Sequence, residues 1–101
     1  MLARIWRGWT KAVDADAYVD YLLATGVSAY RRTSGNRGAW ILRRETGDRT
    51  EFVTLSFWDS ADAIRRFAGD DIEQAVFYPE DDRFLVEREL EVAHYELIEP
   101  A

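Results

Sequence analysis

Apolar positions along the chain change period several times, and each change marks an element. Residues 2–9, Leu-Ala-Arg-Ile-Trp-Arg-Gly-Trp, alternate as a strand. One face carries Leu2, Arg4, Trp6 and Gly8, and the other carries Ala3, Ile5, Arg7 and Trp9. Large apolar and cationic groups occur on both, so both faces are expected to be at least partly covered. Val19, Leu22, Leu23, Gly26 and Tyr30 then recur at helical spacing. Asp14 and Asp16 suit the start of that helix, Arg31 and Arg32 suit its end, and Thr33-Ser34-Gly35-Asn36 breaks it.

Residues 37–46 and 49–58 form two β-rich runs around Gly47-Asp48, the clearest hairpin signal in the chain. The first run puts Trp40 and Leu42 on one face and Ala39 and Ile41 on the other. The second puts Val53, Leu55 and Phe57 on one face and Phe52, Thr54, Ser56 and Trp58 on the other. This last set is polar in the middle and aromatic at its ends, as a ligand-facing surface is. Asp59-Ser60-Ala61-Asp62 opens a second helix with an acid three residues after its cap. That helix carries Ile64, Phe67 and Ala68 inward and ends at Gly69. A short helix is expected from Asp70-Asp71 through Ile72, Ala75 and Val76, stopped by Pro79. One more turn is expected from Glu80-Asp81-Asp82 through Phe84 and Leu85, followed by a last strand over about 90–98.

The order βαββαβ predicts one ferredoxin-like α+β domain over residues 1–101. Right-handed crossovers put both helices on one face of a four-stranded antiparallel sheet. Val53, Leu55 and Phe57 are then left uncovered on the other face. Pairing two such faces across a two-fold axis buries both, so a homodimer is expected.

Composition narrows the chemistry. The 101 residues are 48% apolar and 14% aromatic, enough for one core, and contain no cysteine. A disulfide scaffold, a thiolate metal site and a thiol nucleophile are thereby excluded. No apolar run approaches the roughly 18 residues of a membrane span, and no leader pattern is evident, so a cytoplasmic location is expected and no membrane partner. The net charge of −6 argues against nucleic acid. The charge is uneven: residues 1–50 hold nine basic and five acidic groups, residues 51–101 four and fourteen. Such asymmetry pairs surfaces within or between chains, or is simply a solvated surface.

The chain resembles the antibiotic biosynthesis monooxygenase family of the dimeric α/β-barrel superfamily, over nearly its whole length. The resemblance rests on element order, on Ala3-Arg4-Ile5-Trp6, and on Phe52-Val53-Thr54-Leu55-Ser56-Phe57-Trp58-Asp59-Ser60, with its strand-ending Trp-Asp-Ser. Phe77-Tyr78-Pro79-Glu80-Asp81 and His94-Tyr95-Glu96 are similar to a bacterial branch of that family. It implies a cleft between helices and sheet. Members with known activity oxidise flat aromatic polyketides with dioxygen, without metal or flavin, or cleave haem. Trp58 matches the cleft tryptophan of both groups. Ile5 and Phe77 fall where the haem-degrading branch has an Asn and a His. Neither supplies that chemistry, so haem cleavage by that route is not expected.

Individual residues carry two readings each. His94, the only histidine, is the natural proton-transfer group, or else a half-buried strand histidine bonded to the backbone or a carboxylate. With one histidine and no cysteine, no metal site is expected, and no cofactor. Trp6, Trp58 and Phe77 stack on a flat ligand or pack the core. Thr54 and Ser56 supply the polar centre of the same strand face. Arg4, Arg7, Arg37, Arg43 and Arg44 lie on strands. One of them, Arg4 above all, steadies an enolate or phenolate, or they form rim ion pairs. Gly35-Asn36-Arg37-Gly38 lacks the context of a phosphate loop, and Ser56 and Ser60 have no triad spacing. The expected function is cofactor-independent monooxygenation of a planar phenolic or enolic molecule in the cleft. The alternatives are a small-molecule-binding dimer without catalysis, or a cofactor-free isomerase or cyclase in the same cleft.

Overall fold

The structure, a computed structural model, describes residues 1–98, so the last three residues of the expected domain lie outside the described residues. Strand β1 (Leu2–Lys11) runs through a short turn, Ala12–Asp14, into helix α1 (Ala15–Leu22). A π-helical turn, Leu23–Val27, joins α1 to α2 (Ser28–Arg32), so that the expected first helix is one rod with a widened middle. The hairpin β2 (Asn36–Thr46) and β3 (Arg49–Trp58) follows, then helix α3 (Ala61–Ala68). The chain closes with α4 (Asp81–Phe84), β4 (Leu85–Arg88) and β5 (Ala93–Glu96).

The sheet order is β2-β3-β1-β4, all antiparallel, with β5 on the same side of β1 as β4. This is the ferredoxin-like order, with one change. The fourth strand is broken in two: β4 pairs with Gly8–Thr10 and β5 with Leu2–Ile5. The expected strand over 90–98 is therefore shorter, and β4 lies where only a helical turn was expected. Phe84 and Leu85 are adjacent and both buried, a pattern that fits neither period and conceals the switch from α4 to β4.

Residues between the two half-strands turn aside to bind the segment that covers the helix side of the sheet. Val92 N–H donates to Glu73 O at 2.8 Å and Ala75 N–H to Leu90 O at 3.0 Å. The helix expected over Ile72, Ala75 and Val76 does not form. A helix so short is costly to nucleate, and here its backbone groups find partners across the chain instead. The cap of α3 is Ser60, whose Oγ accepts from Ala63 N–H at 3.2 Å. Asp62 turns to Arg65 rather than completing a capping box.

Register sorts the side chains by face, since directly opposed residues share one. Leu2, Arg4, Trp6 and Gly8 oppose Trp58, Ser56, Thr54 and Phe52, all towards the helices. Ala3, Ile5 and Arg7 oppose Phe57, Leu55 and Val53, towards the uncovered face. Two core clusters fill the covered side. One gathers Trp6, Tyr18, Leu22, Phe52 and Phe84 beneath α1, and the other Val27, Tyr30, Trp58 and Ile64 between α2 and α3.

Gly35 lets α2 turn into β2 close against α3. Its φ is +93°, and a Cβ there would lie 2.5 Å from the Ala63 Cβ. Gly35→Ala therefore costs about 1–3 kcal/mol, read as a fall in Tm of roughly 4–8 °C per kcal/mol for a domain of this size. An unchanged Tm would show that this approach of α3 is not made.

Candidate functional site

The covered face of the sheet carries a row of side chains running from strand to strand: Ala39, Ser56, Arg4 and His94. Arg4 stands at its centre and is 1% exposed. Its Nη1 donates to Ile72 O at 2.5 Å and its Nη2 to Gln74 O at 3.2 Å. His94 Nε2 lies 3.0 Å from Nη1, and the guanidinium sits 5.8 Å from the centre of the Phe67 ring. The Nε–H has no partner. No carboxylate pairs with Arg4 among the described residues. Burial lowers the guanidinium pKa, opposed by the nearby Tyr30 hydroxyl, though an arginine stays charged through such a shift.

A cationic Arg4 fixes the state of its neighbour. An arginine has donors only, so the His94 Nε2 facing it is the acceptor of a neutral imidazole. Burial first, and then the Arg4 charge, hold the His94 pKa below its usual value, with Glu73 acting the other way.

Arg4 forms part of the wall of a cavity between the sheet, the first helical rod and the segment 70–80. Trp6 and Thr54 line it from the sheet, and Tyr18, Thr25, Gly26 and Tyr30 from the rod. Phe67 comes from α3, Phe77 and Tyr78 from the covering segment, and Asp81 from the start of α4. The three residues Thr25, Gly26 and Val27 all belong to the π-helical turn. The cavity holds about 30 Å³, room for two waters or so.

Of the residues singled out in the sequence, Arg4, Trp6, Thr54 and Phe77 meet in this cavity. The Trp6 ring lies over Gly8, where a Cβ would come within 2.3 Å of it, and stands edge-on to Phe77 at 6.1 Å. Trp58 and Ser56 lie one layer behind the wall. Trp58 is fully buried, donates from its indole N–H to Ser56 Oγ at 2.9 Å, and packs on Tyr30 and Phe67. His94 reaches Arg4 from beside the cavity and is not among the residues lining it. Ile5 points to the opposite face of the sheet. The other strand arginines make rim ion pairs: Arg7 and Arg44 with Glu51, Arg37 with Asp59, Arg43 with Asp16. Trp40 is 51% exposed on the uncovered face.

Sequence reasoning missed Tyr18 and Asp81. Tyr18 is not among the residues whose spacing marked the first helix, and Asp81 read as a capping acid. Their separation of 63 positions hides that the Tyr18 hydroxyl donates to Asp81 Oδ1 at 2.9 Å. Burial, and then the Asp81 charge, push the Tyr18 pKa far up, so its proton stays in place.

A porphyrin does not fit this cavity as it stands. The volume is too small, and of the side chains that hold haem iron the lining offers only tyrosines, with the Tyr18 hydroxyl committed to Asp81. No cluster of three metal-ligating side chains occurs among the described residues.

Comparison with solved structures shows the fold. A candidate antibiotic biosynthesis monooxygenase from Bacillus cereus superposes with a TM-score of 0.70 at 13% identity, covering 99% of this chain and 95% of that one. The haem degrader MhuD from Mycobacterium tuberculosis, with two haems bound, gives 0.61 at 15% identity over 100% and 99%. An uncharacterized NIPSNAP domain protein from Burkholderia xenovorans gives 0.63 at 20% identity over the full length of both chains. No protein-family profile matches the sequence. No curated protein matches it either.

The depressed His94 pKa has a thermodynamic consequence. The unfolded chain takes up a proton as pH falls through about 6.5, while the folded chain resists it until lower pH. Stability is therefore full above that pH and declines below it. Wild-type unfolding free energy, measured by urea titration, should fall more steeply from pH 7 to 5 than that of His94→Gln. Equal slopes would mean that His94 protonates freely in the folded state.

Proposed function

We propose that the cavity binds a small planar molecule with a phenolic or enolic hydroxyl, held as its anion, and that the bound anion reacts with dioxygen. The observation that carries this reading is Arg4, a buried guanidinium with no carboxylate beside it and one N–H unpaired among the described residues. A charge so buried costs several kcal/mol unless a counter-charge offsets it, and carbonyl oxygens supply only partial charges. A flat oxyanion supplies a full one, in the geometry that a guanidinium favours. Trp6, Phe67 and Phe77 offer apolar faces for its ring.

Such a guest needs more room than about 30 Å³, since ligand pockets run to about 300 Å³ and more. The covering segment provides it in this reading. Two of the bonds holding residues 70–80 are donated by Arg4, to Ile72 and Gln74. An anion that takes those donors frees the segment as it enters. His94 then serves as a prop that keeps the guanidinium in place.

The oxidation balances without a cofactor. An enolised methylene becomes a carbonyl, which supplies four electrons. One atom of dioxygen enters the product and the other leaves as water. The support for dioxygen is likeness of scaffold to proteins named for oxygenase or haem-degrading activity, an analogy of fold. Retention of ligand without oxygen uptake is the outcome expected of a non-catalytic binding protein, a reading favoured by the narrow cavity and by Trp58 packed in the core.

The test uses 2-naphthol, 2-indanone and anthrone, with tryptophan fluorescence for binding and an oxygen electrode for turnover. Wild type should bind at least one and consume oxygen, and Arg4→Met should bind it tenfold or more weakly, about 1.4 kcal/mol. Binding without oxygen uptake removes the oxygenase half of the reading. No binding by folded wild type removes all of it.

We also propose that the protein works as a homodimer paired through the uncovered face. Trp40 and Leu42 oppose Leu55 and Val53, beside Ile5 and Phe57, with no helix over them. Trp40 and Leu42 are each about half exposed in the single chain, a contiguous patch that monomers rarely leave open. Sedimentation should give a dimer at micromolar concentration, and Leu55→Asp should give a folded monomer. A monomeric wild type would overturn this.

A further inference from the structure

Asp81 is the one buried carboxylate in the cavity wall, 4% exposed. Its neighbours in sequence are ordinary surface acids with arginine partners: Glu80 pairs with Arg83 and Asp82 with Arg88. Asp81 has no such pair among the described residues. Only neutral donors hold it, Tyr18 Oη on Oδ1 at 2.9 Å and Tyr78 N–H on Oδ2 at 2.7 Å. A carboxylate has about four acceptor positions, so two remain free. The Tyr18 hydroxyl is fully buried and committed to this bond. The Tyr18 hydroxyl in turn feels Arg88 from β4 and Tyr21 from its own helix, besides Asp81, and the Tyr78 hydroxyl also lies within reach of the Asp81 charge.

The same cavity therefore has a cationic wall at Arg4 and an anionic wall at Asp81. The π-helical turn that lines it with Thr25, Gly26 and Val27 stands on the rod that also carries Tyr18, and such turns are frequent at functional sites. His94 has its acceptor nitrogen on Arg4 and does not line the cavity. Among the titratable groups that do, Tyr18 holds its proton, and Asp81 is the one carboxylate.

We propose that Asp81, oriented by Tyr18, is the catalytic base that removes a proton from the molecule held on Arg4. This rests on the binding reading above and names the proton acceptor it lacks. In the step, a C–H bond beside the ligand carbonyl breaks and its proton passes to a free lone pair of Asp81. The electron pair forms the enolate C=C as the carbonyl pair moves to oxygen, and that oxyanion lies against Arg4. The negative charge leaves a carboxylate held by neutral donors and reaches an oxygen beside a guanidinium, so the net charge of the site does not change. No oxidant enters the step. Tyr18 is a positioning residue, acting through Asp81.

The experiment is anaerobic exchange of the methylene protons of 2-indanone in deuterium oxide, followed by proton NMR and corrected for buffer. Wild type should accelerate exchange over the buffer rate. Asp81→Asn should lower the rate by about 10²-fold or more, the usual scale of general-base catalysis. Tyr18→Phe removes the donor that holds Oδ1 in place, so its maximal exchange rate should fall while its affinity for 2-naphthol stays that of wild type. A merely structural pair would lower stability and weaken binding along with exchange. If folded Asp81→Asn exchanges like wild type, or if Tyr18→Phe keeps the full exchange rate, the assignment falls and the binding reading stands. If wild type binds no member of the ketone and phenol panel, both fall.

Discussion

The architecture turns on one buried charge. Arg4 lies on the central strand and brings its guanidinium under the covering segment, where it donates to Ile72 and Gln74. These bonds hold residues without helix or strand of their own against the sheet. They also keep a cation in an apolar wall, where its cost is only partly offset. Removing the arginine would relieve that cost and release the cover, so the same residue shapes the cavity and closes it.

The broken edge strand follows from the same arrangement. A continuous fourth strand along β1 would leave the covering segment without backbone partners. Instead the chain leaves β1 after Glu89, exchanges bonds with Glu73 and Ala75, and returns at Ala93. The return sets His94 opposite Arg4, completing the row across the sheet. Buried backbone groups must find partners, and here this requirement both interrupts the strand and delivers the histidine. Burial and the arginine charge together disfavour protonation of the histidine.

The two faces of the sheet divide the molecule's chemistry. The covered face carries Arg4, Thr54, Ser56 and Trp6 among aromatic rings, and the polar groups there are placed by register rather than by solvent. The other face is apolar around Ile5, Leu55 and Trp40 and ionic around Arg7, Arg44 and Glu51. One residue of slip would exchange these sets, and the hairpin turn at Gly47, with φ of 74°, helps to prevent it.

Much of this was legible in the chain. Alternation sorted the residues of β1, β2 and β3 into faces, while the placing of Ser56 and His94 opposite Arg4 came only with the register. Helical spacing found the rod and α3, and element order implied the ferredoxin-like arrangement. Local physics suffices there, because side-chain period and capping depend on nearby residues. The rest depends on contacts between distant ones. Arg4 looked like its fellow strand arginines, and only the covering segment separates it from those at the rim. Trp58 looked like a cavity residue until Ser56, Tyr30 and Phe67 took up its surface. Asp81 carries no local sign of the tyrosine that meets it from α1. The period of a sequence says which way a side chain leaves the backbone. What it meets there is decided by parts of the chain far away, because burial and pairing are properties of the assembled fold.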